Sequence, residues 1–254
     1  IPQGGFAPDF NVELAEQDYY ISMGEGAELL ADELNISRED QEEFSFSSHD
    51  KAVAARESGK FDNEIIPITL EDGTIIDKDS GPRNPDKDKI KSLNPAFRAD
   101  GTVTAATSSP FSIGASAMLI TSEKFANDNG LKIRAYIEGR AVAGVNWKMF
   151  GSGPIPATEK ALEKTGLSMD DIDAIELNEA FAAQALYCIK KANWDINKVN
   201  LNGGAVALGH PLGISGTRII TTLLNVLEQE DKSMGLATMC VGTGQGITTI
   251  IKRG

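Results

Sequence analysis

The sequence predicts an α/β fold: one mixed sheet covered by helices, joined to a mainly helical loop domain. Three observations carry this. From Gly101 onward, short apolar strand patterns alternate with amphipathic helix patterns. Glycine-rich turns stand where those strands end, at Gly203-Gly204, Gly209 and Gly242-Thr243-Gly244. Before Phe97 the texture is polar and helical. We therefore expect a polar, mainly helical domain over residues 1–98 and a sheet-bearing domain over 99–254.

In chain order, Met23 to Leu34 reads as a helix. Ser37, with Asp40 three residues on, caps a second helix that runs to Gly59 in the C′ position. Ile65 to Leu70, the Asp72-Gly73 turn and Thr74-Ile75-Ile76 suggest a small hairpin. Asp77 to Lys91, charged and interrupted by Gly81, Pro82 and Pro85, reads as a surface loop. Ala115 to Ile120 reads as buried, Ser122 to Asn129 as a short helix and Ile133 to Val142 as a strand. Pro156 can start a helix that ends at Gly166. Ile172 to Leu177 is a strand, Glu179 to Ala192 a helix, Val199 to Leu201 a strand and Ser215 to Glu228 a helix. Leu236 to Cys240 and Ile247 to Ile251 close the pattern as adjacent strands.

Composition narrows the class. With 41% apolar and 24% charged residues over 254 positions, this is an ordinary globular chain with ample core. No apolar run approaches the ~20 residues that span a bilayer, and no basic start precedes an apolar segment, so we expect no membrane association and a cytoplasmic protein. A net charge of −13 argues against nucleic acid, which demands a basic face. Two cysteines, Cys188 and Cys240, fit a reducing compartment and cannot build a CxxC-type zinc site; we expect no metal. The chain begins Ile1-Pro2-Gln3 rather than with methionine, and we expect a fragment, a processed product or a partial reading frame.

Candidate chemistry gathers at predicted strand ends, where active residues of such sheets collect. His210 sits among Gly203, Gly204, Gly209, Gly213 and Gly216, which let main chain pass close to a ligand. It can equally just hold its loop. Cys240 ends an apolar strand pattern beside Gly242 and Gly244, whose amides can form an oxyanion hole. A thiol beside an imidazole has a lowered pKa and can act as a base, although a buried free cysteine is more often core. Asn178 and Glu179 stand where strand meets helix: Asn178 is either an N-cap or a group that polarises a carbonyl. We read Cys188 as core filling and His49 as lying on a solvated helix face.

Asn178-Glu179-Ala180-Phe181-Ala182-Ala183-Gln184, Gly203-Gly204-Ala205-Val206-Ala207-Leu208-Gly209-His210-Pro211 and Cys240-Val241-Gly242, in this order and spacing, resemble the thiolase family (acetyl-CoA acetyltransferase or 3-ketoacyl-CoA thiolase). Supporting stretches are Met23-Gly24, Asp100 to Ala105 and Gly153 to Thr158. The resemblance implies a thiolase-like layered α/β fold and an enzyme that condenses or thiolytically cleaves acetyl-CoA and 3-ketoacyl-CoA. No cofactor is implied, since the coenzyme A thioesters are substrates. It assigns His210 to activating a nucleophilic cysteine, Cys240 to acid/base work at the α-carbon, Asn178 to holding a water at the enolate oxygen and Gly242 to a second oxyanion hole. Ser109, Met23, Phe181 and Arg83 become candidate contacts for the coenzyme A substrate. The polar region before Phe97 becomes a lid over the pantetheine arm.

Departures matter too. The family carries its acyl-accepting cysteine in an N-terminal CxSG motif, which is absent here, and neither Cys188 nor Cys240 takes that role. We expect the N-terminal portion of the family's chain to be missing altogether, this polypeptide to be inactive alone, and it to associate with that portion or as a homo-oligomer, dimer or tetramer. Ser22, Gly26, Ile113 and Phe150 replace residues frequent in the family, while Ala106 to Pro110 resembles its fatty-acid-oxidation branch, which leaves chain length open. Two other readings stand beside this one. A non-catalytic coenzyme-A-binding or assembly subunit would need none of His210, Asn178 and Cys240. A β-ketoacyl-synthase-like enzyme would need a second histidine in the site.

Overall fold

The computed structural model describes residues 11–254. After a short helix, α1 (Val12–Glu16), two longer helices begin at serine caps: α2 (Met23–Leu34) behind Ser22 and α3 (Arg38–Glu57) behind Ser37. Both caps are reciprocal boxes, in which the Glu25 and Asp40 carboxylates accept from the amides of Ser22 and Ser37. Gly59, at φ 74°, turns the chain out of α3 as predicted. Strands β1 (Ile68–Thr69) and β2 (Ile75–Ile76) form the expected hairpin, wholly exposed. The following segment is mostly loop, as expected, except that Asp86 caps a short helix, α4 (Lys87–Lys91). Its cap and its run of lysines and aspartates carry no apolar periodicity to betray it.

The remaining elements are α5 (Glu123–Asp128), β3 (Ala135–Gly144), α6 (Pro154–Thr165), β4 (Ala174–Leu177), α7 (Ala182–Lys191), α8 (Ala205–Leu208), α9 (Ser215–Gln229), β5 (Met234–Val241) and β6 (Gln245–Arg253). The sheet runs β3-β6-β5-β4; β4 and β5 are parallel, the other pairs antiparallel, so it is mixed. Its register slips at Glu138, a bulge in the edge strand β3.

Helices cover both faces. Ile219, Leu223, Val226 and Leu227 of α9 pack on Ala174 and Ala237 on one side. Ala161 and Leu162 of α6 and Ala185, Cys188 and Ile189 of α7 pack on Ile175, Leu177, Leu236 and Ile250 on the other. Helix α2 adds a further layer, its Ala27, Leu30 and Ala31 lying against Ala183, Leu186 and Tyr187 of α7. Cys188 is core, as read.

Four expectations are corrected. Helix α6 starts at Pro154, not Pro156, because Pro154 takes the first-turn position that tolerates a missing amide. Val199 to Leu201 makes only a single bridge, Val199 to Ile175. Asn200 then turns left-handed (φ 47°), and its side chain completes the ladder on Leu177 N and O at 2.9 Å each. Ala115 to Ile120 forms no strand and is largely exposed, with Leu119 73% accessible, because no described strand pairs with it. His49 is buried rather than solvated: α3 turns that face onto Gly203 and α8.

Candidate active site

The carboxyl ends of the parallel pair β4 and β5 build the site. Asn178 continues the ladder one residue past β4, its amide donating to Thr238 O at 3.0 Å. The cap of α7 is Phe181, so Asn178 is free of the capping role that the sequence left open. Its fully buried side chain instead meets His210, Nδ2 to Nε2 at 3.3 Å, and its Oδ1 has no partner among the described residues. On the neighbouring strand Cys240 stands two residues past Thr238, the partner of Leu177. Asn178 and Cys240 thus project from adjacent strand ends.

His210 follows Gly209, whose φ of 95° and close approach to Ser112 exclude a side chain; a Cβ there would lie 2.4 Å from Ser112 Oγ. The imidazole Nδ1 lies 2.6 Å from Ser215 Oγ at the start of α9. Burial, and then the nearby Arg218 guanidinium, hold the ring pKa down to about 4, so the imidazole is neutral at pH 7. Cys240 departs from expectation. Burial pushes its thiol up to about 12, and no effect of the imidazole offsets that, so the resting side chain is a thiol and not a thiolate.

The polar scaffold beneath is Glu179, also fully buried. Its carboxylate accepts from Ser48 Oγ of α3 at 2.7 Å, Asn200 Nδ2 at 2.7 Å and Val206 N at 3.0 Å. Burial raises its pKa while these donors oppose the rise. Gly204 has to be glycine for this clamp to close, since a Cβ would sit 2.1 Å from the carboxyl carbon. Beside it, burial lifts Glu176 to about 8 despite Arg218 at 3.5 Å.

Gly242 begins the β5–β6 turn and faces Met23, whose Sδ lies 3.9 Å from where a Cβ would be. Phe181 stacks edge-to-face on Phe97, centroids 5.8 Å apart, and the Ser109 amide donates to Ala180 O at 3.0 Å. Arg83 is exposed; burial, and then the Arg83 charge, hold the pKa of buried His49 down to about 4. Among the described residues no group of three or more His, Cys, Asp or Glu side chains is arranged to hold a metal, and no helix is long and apolar enough to cross a membrane. Sequence reasoning missed Ser215, Phe97 and the carboxylate role of Glu179. Ser215 had a signal, a hydroxyl five residues after a histidine at a helix start, whereas Phe97 had none.

Two family models match, described as "Thiolase, N-terminal domain" over residues 7–124 and "Thiolase, C-terminal domain" over residues 131–253. The first match corrects the expectation that the N-terminal portion of the family's chain is missing altogether. A 3-ketoacyl-CoA thiolase of Vibrio vulnificus (strain CMCP6) is 53% identical over 240 residues, covering 91% of this chain and 62% of that protein. One from Photorhabdus laumondii is 54% identical over 241 residues with the same coverage. The crystal structure of the Bacillus anthracis acetyl-CoA acetyltransferase superposes with a TM-score of 0.90 at 43% identity, covering 92% of this chain and 60% of that one. The chain spans about three fifths of the length of the curated relatives it matches.

Proposed function

We propose a function from one premise: this chain belongs to the thiolase family. On that basis it serves thiolase-type acyl transfer on 3-ketoacyl-CoA and acetyl-CoA. One observation carries the reading: Asn178 and His210 meet at 3.3 Å beside the strand end that bears Cys240.

In the thiolytic direction His210 takes the proton of a nucleophilic cysteine, whose thiolate attacks the C3 carbonyl; the C2–C3 bond breaks and the acyl group stays on that cysteine until the coenzyme A thiol takes it. The electron pair of the broken bond passes to acetyl-CoA as an enolate, and the Cys240 thiol protonates C2. Once it carries that proton, His210 faces the enolate oxygen beside Asn178, and the Gly242 amide faces the acyl oxygen. In the reverse direction Cys240 removes the α-proton and therefore has to ionise first. A resting thiol suits the cleaving direction, in line with the relatives' printed name. Neither cysteine here is the acyl acceptor, so we place that nucleophile on polypeptide outside these 254 residues.

We place the lid over the pantetheine arm in residues 1–98, with Met23, Phe181 and Ser109 at its inner rim and Arg83 at the nucleotide end. We further propose a cytoplasmic enzyme that associates, either with itself or with the polypeptide bearing the nucleophile. The uncovered apolar run from Phe111 to Ile120 supports association.

The α-carbon chemistry can be tested on this chain alone. Acetyl-CoA in D2O exchanges its methyl hydrogens in the presence of the chain, and Cys240→Ala and His210→Ala stop it. Exchange no faster than buffer sinks the catalytic reading in favour of a subunit that only binds. Thiolysis of a 3-ketoacyl-CoA then requires a polypeptide carrying the CxSG cysteine.

A further inference from the structure

We propose that Ser215 is a positioning residue that fixes which ring nitrogen of His210 carries the proton. The argument counts hydrogens. Asn178 presents its amide nitrogen, which can only donate, to Nε2 at 3.3 Å. Nε2 therefore offers its lone pair, and in a neutral ring the proton sits on Nδ1. Nδ1 is 2.6 Å from Ser215 Oγ. The hydroxyl has a single hydrogen, and that hydrogen is directed to Pro211 O at 2.9 Å, leaving oxygen lone pairs for the imidazole. Donation thus runs one way, from Asn178 to His210 to Ser215 to the Pro211 carbonyl.

The opposite tautomer needs two reversals at once. Ser215 would have to withdraw its hydrogen from Pro211, and Asn178 would have to present Oδ1 in place of Nδ2. Ser215 is buried at the first turn of α9 and its own amide also donates to Pro211 O at 3.1 Å, so the hydroxyl is held where the chain of donors ends. The consequence for the ring is a bare Nε2 on the side of Asn178, ready to take a proton, while the orphaned Asn178 Oδ1 awaits a donor from whatever binds. Burial, helped by the charge of Arg218 on the next turn of α9, keeps the ring neutral without choosing a nitrogen.

The chain has only two histidines, which makes the test direct. In long-range proton–nitrogen spectra of the 15N-histidine-labelled chain at pH 7, His210 is expected to show a protonated Nδ1 and a bare Nε2. Its assignment comes from the loss of one pair of signals in His49→Gln. Ser215→Ala moves both ring signals toward averaged or exchanged values, and Ser215→Thr restores them. A wild-type proton on Nε2, or ring signals unmoved by Ser215→Ala, overturns the proposal. If the alanine variant does not fold, the wild-type and threonine spectra still decide. The catalytic weight of Ser215 rests on the acyl-transfer reading: Ser215→Ala should slow deuterium exchange by about ten- to a hundredfold, as expected for a residue behind a working side chain, with threonine rescuing it. Absence of exchange in the wild type would remove that reading and leave the tautomer result intact.

Discussion

Ile172 to Leu177, expected as a strand, and Ala115 to Ile120, expected to be buried, are mostly apolar stretches of equal length. The first yields β4, in which every residue is buried, even Glu176. The second lies open, beside a cleft of about 550 Å³ shared with Tyr136 of β3 and Ile220 of α9. What separates them is partnership. β4 finds β5 for its backbone groups, α9 for one face and α7 for the other, whereas no described element gives the 115–120 run a ladder. Apolar composition states a demand for burial, and topology decides whether it is met.

The largest expected effect lies at the closed end of this contrast. Cys240→Ala should lower acetyl-CoA deuterium exchange by about 10²- to 10⁴-fold, the range for a lost acid/base group. In the wild type, exchange should climb with pH across the neutral range, because the thiol ionises only near pH 12 while His210 stays neutral above about pH 4. A flat pH profile would show that Cys240 is not the base.

Stability probes the contrast directly. Ile175→Ala should cost about 2–5 kcal/mol in urea unfolding, the range for a truncated core side chain. Leu119→Ala should stay within about 0.5 kcal/mol, and equal costs would mean that the 115–120 run is covered in solution. Acid should act on the closed region as well. His210 and His49 both have depressed pKa values near 4 in the fold. The unfolded chain thus binds more protons between about pH 6.5 and 4, and stability should fall across that window by up to about 1.4 kcal/mol per pH unit for each histidine. Urea midpoints taken at pH 7, 5.5 and 4.5 check this, and unchanged midpoints would place both rings in contact with water. Smallest in folding energy is Leu119→Asp with Ile120→Asp: midpoints should hold while association, followed by sedimentation, weakens.

The same contrast explains what could be read in advance. Helices α2, α3 and α9 were legible because capping boxes, Gly59 and apolar periodicity are local signals. The strands β5 and β6 were legible as apolar runs around a glycine turn, and Asn178 and Cys240 as strand-end residues, whereas His210, between α8 and α9, was marked only by the glycines around it. Asn178 as a possible cap, His49 as solvated and Cys240 as acidified all turned on surroundings supplied by residues far away in sequence. The burial of Cys240 outweighs any help from the imidazole, and no neighbouring residue in the chain announces it.

The slipped register at Glu138 has a bearing on how copies of this chain meet. β3 borders the sheet with one side unpaired among the described residues, and such a border invites another strand to dock and extend the ladder. The kink there, with charged Glu138 and Arg140 beside it, makes that border a poor template. Crowded solutions should thus bring molecules together through the greasy cleft under Leu119, giving small discrete clusters rather than fibrils.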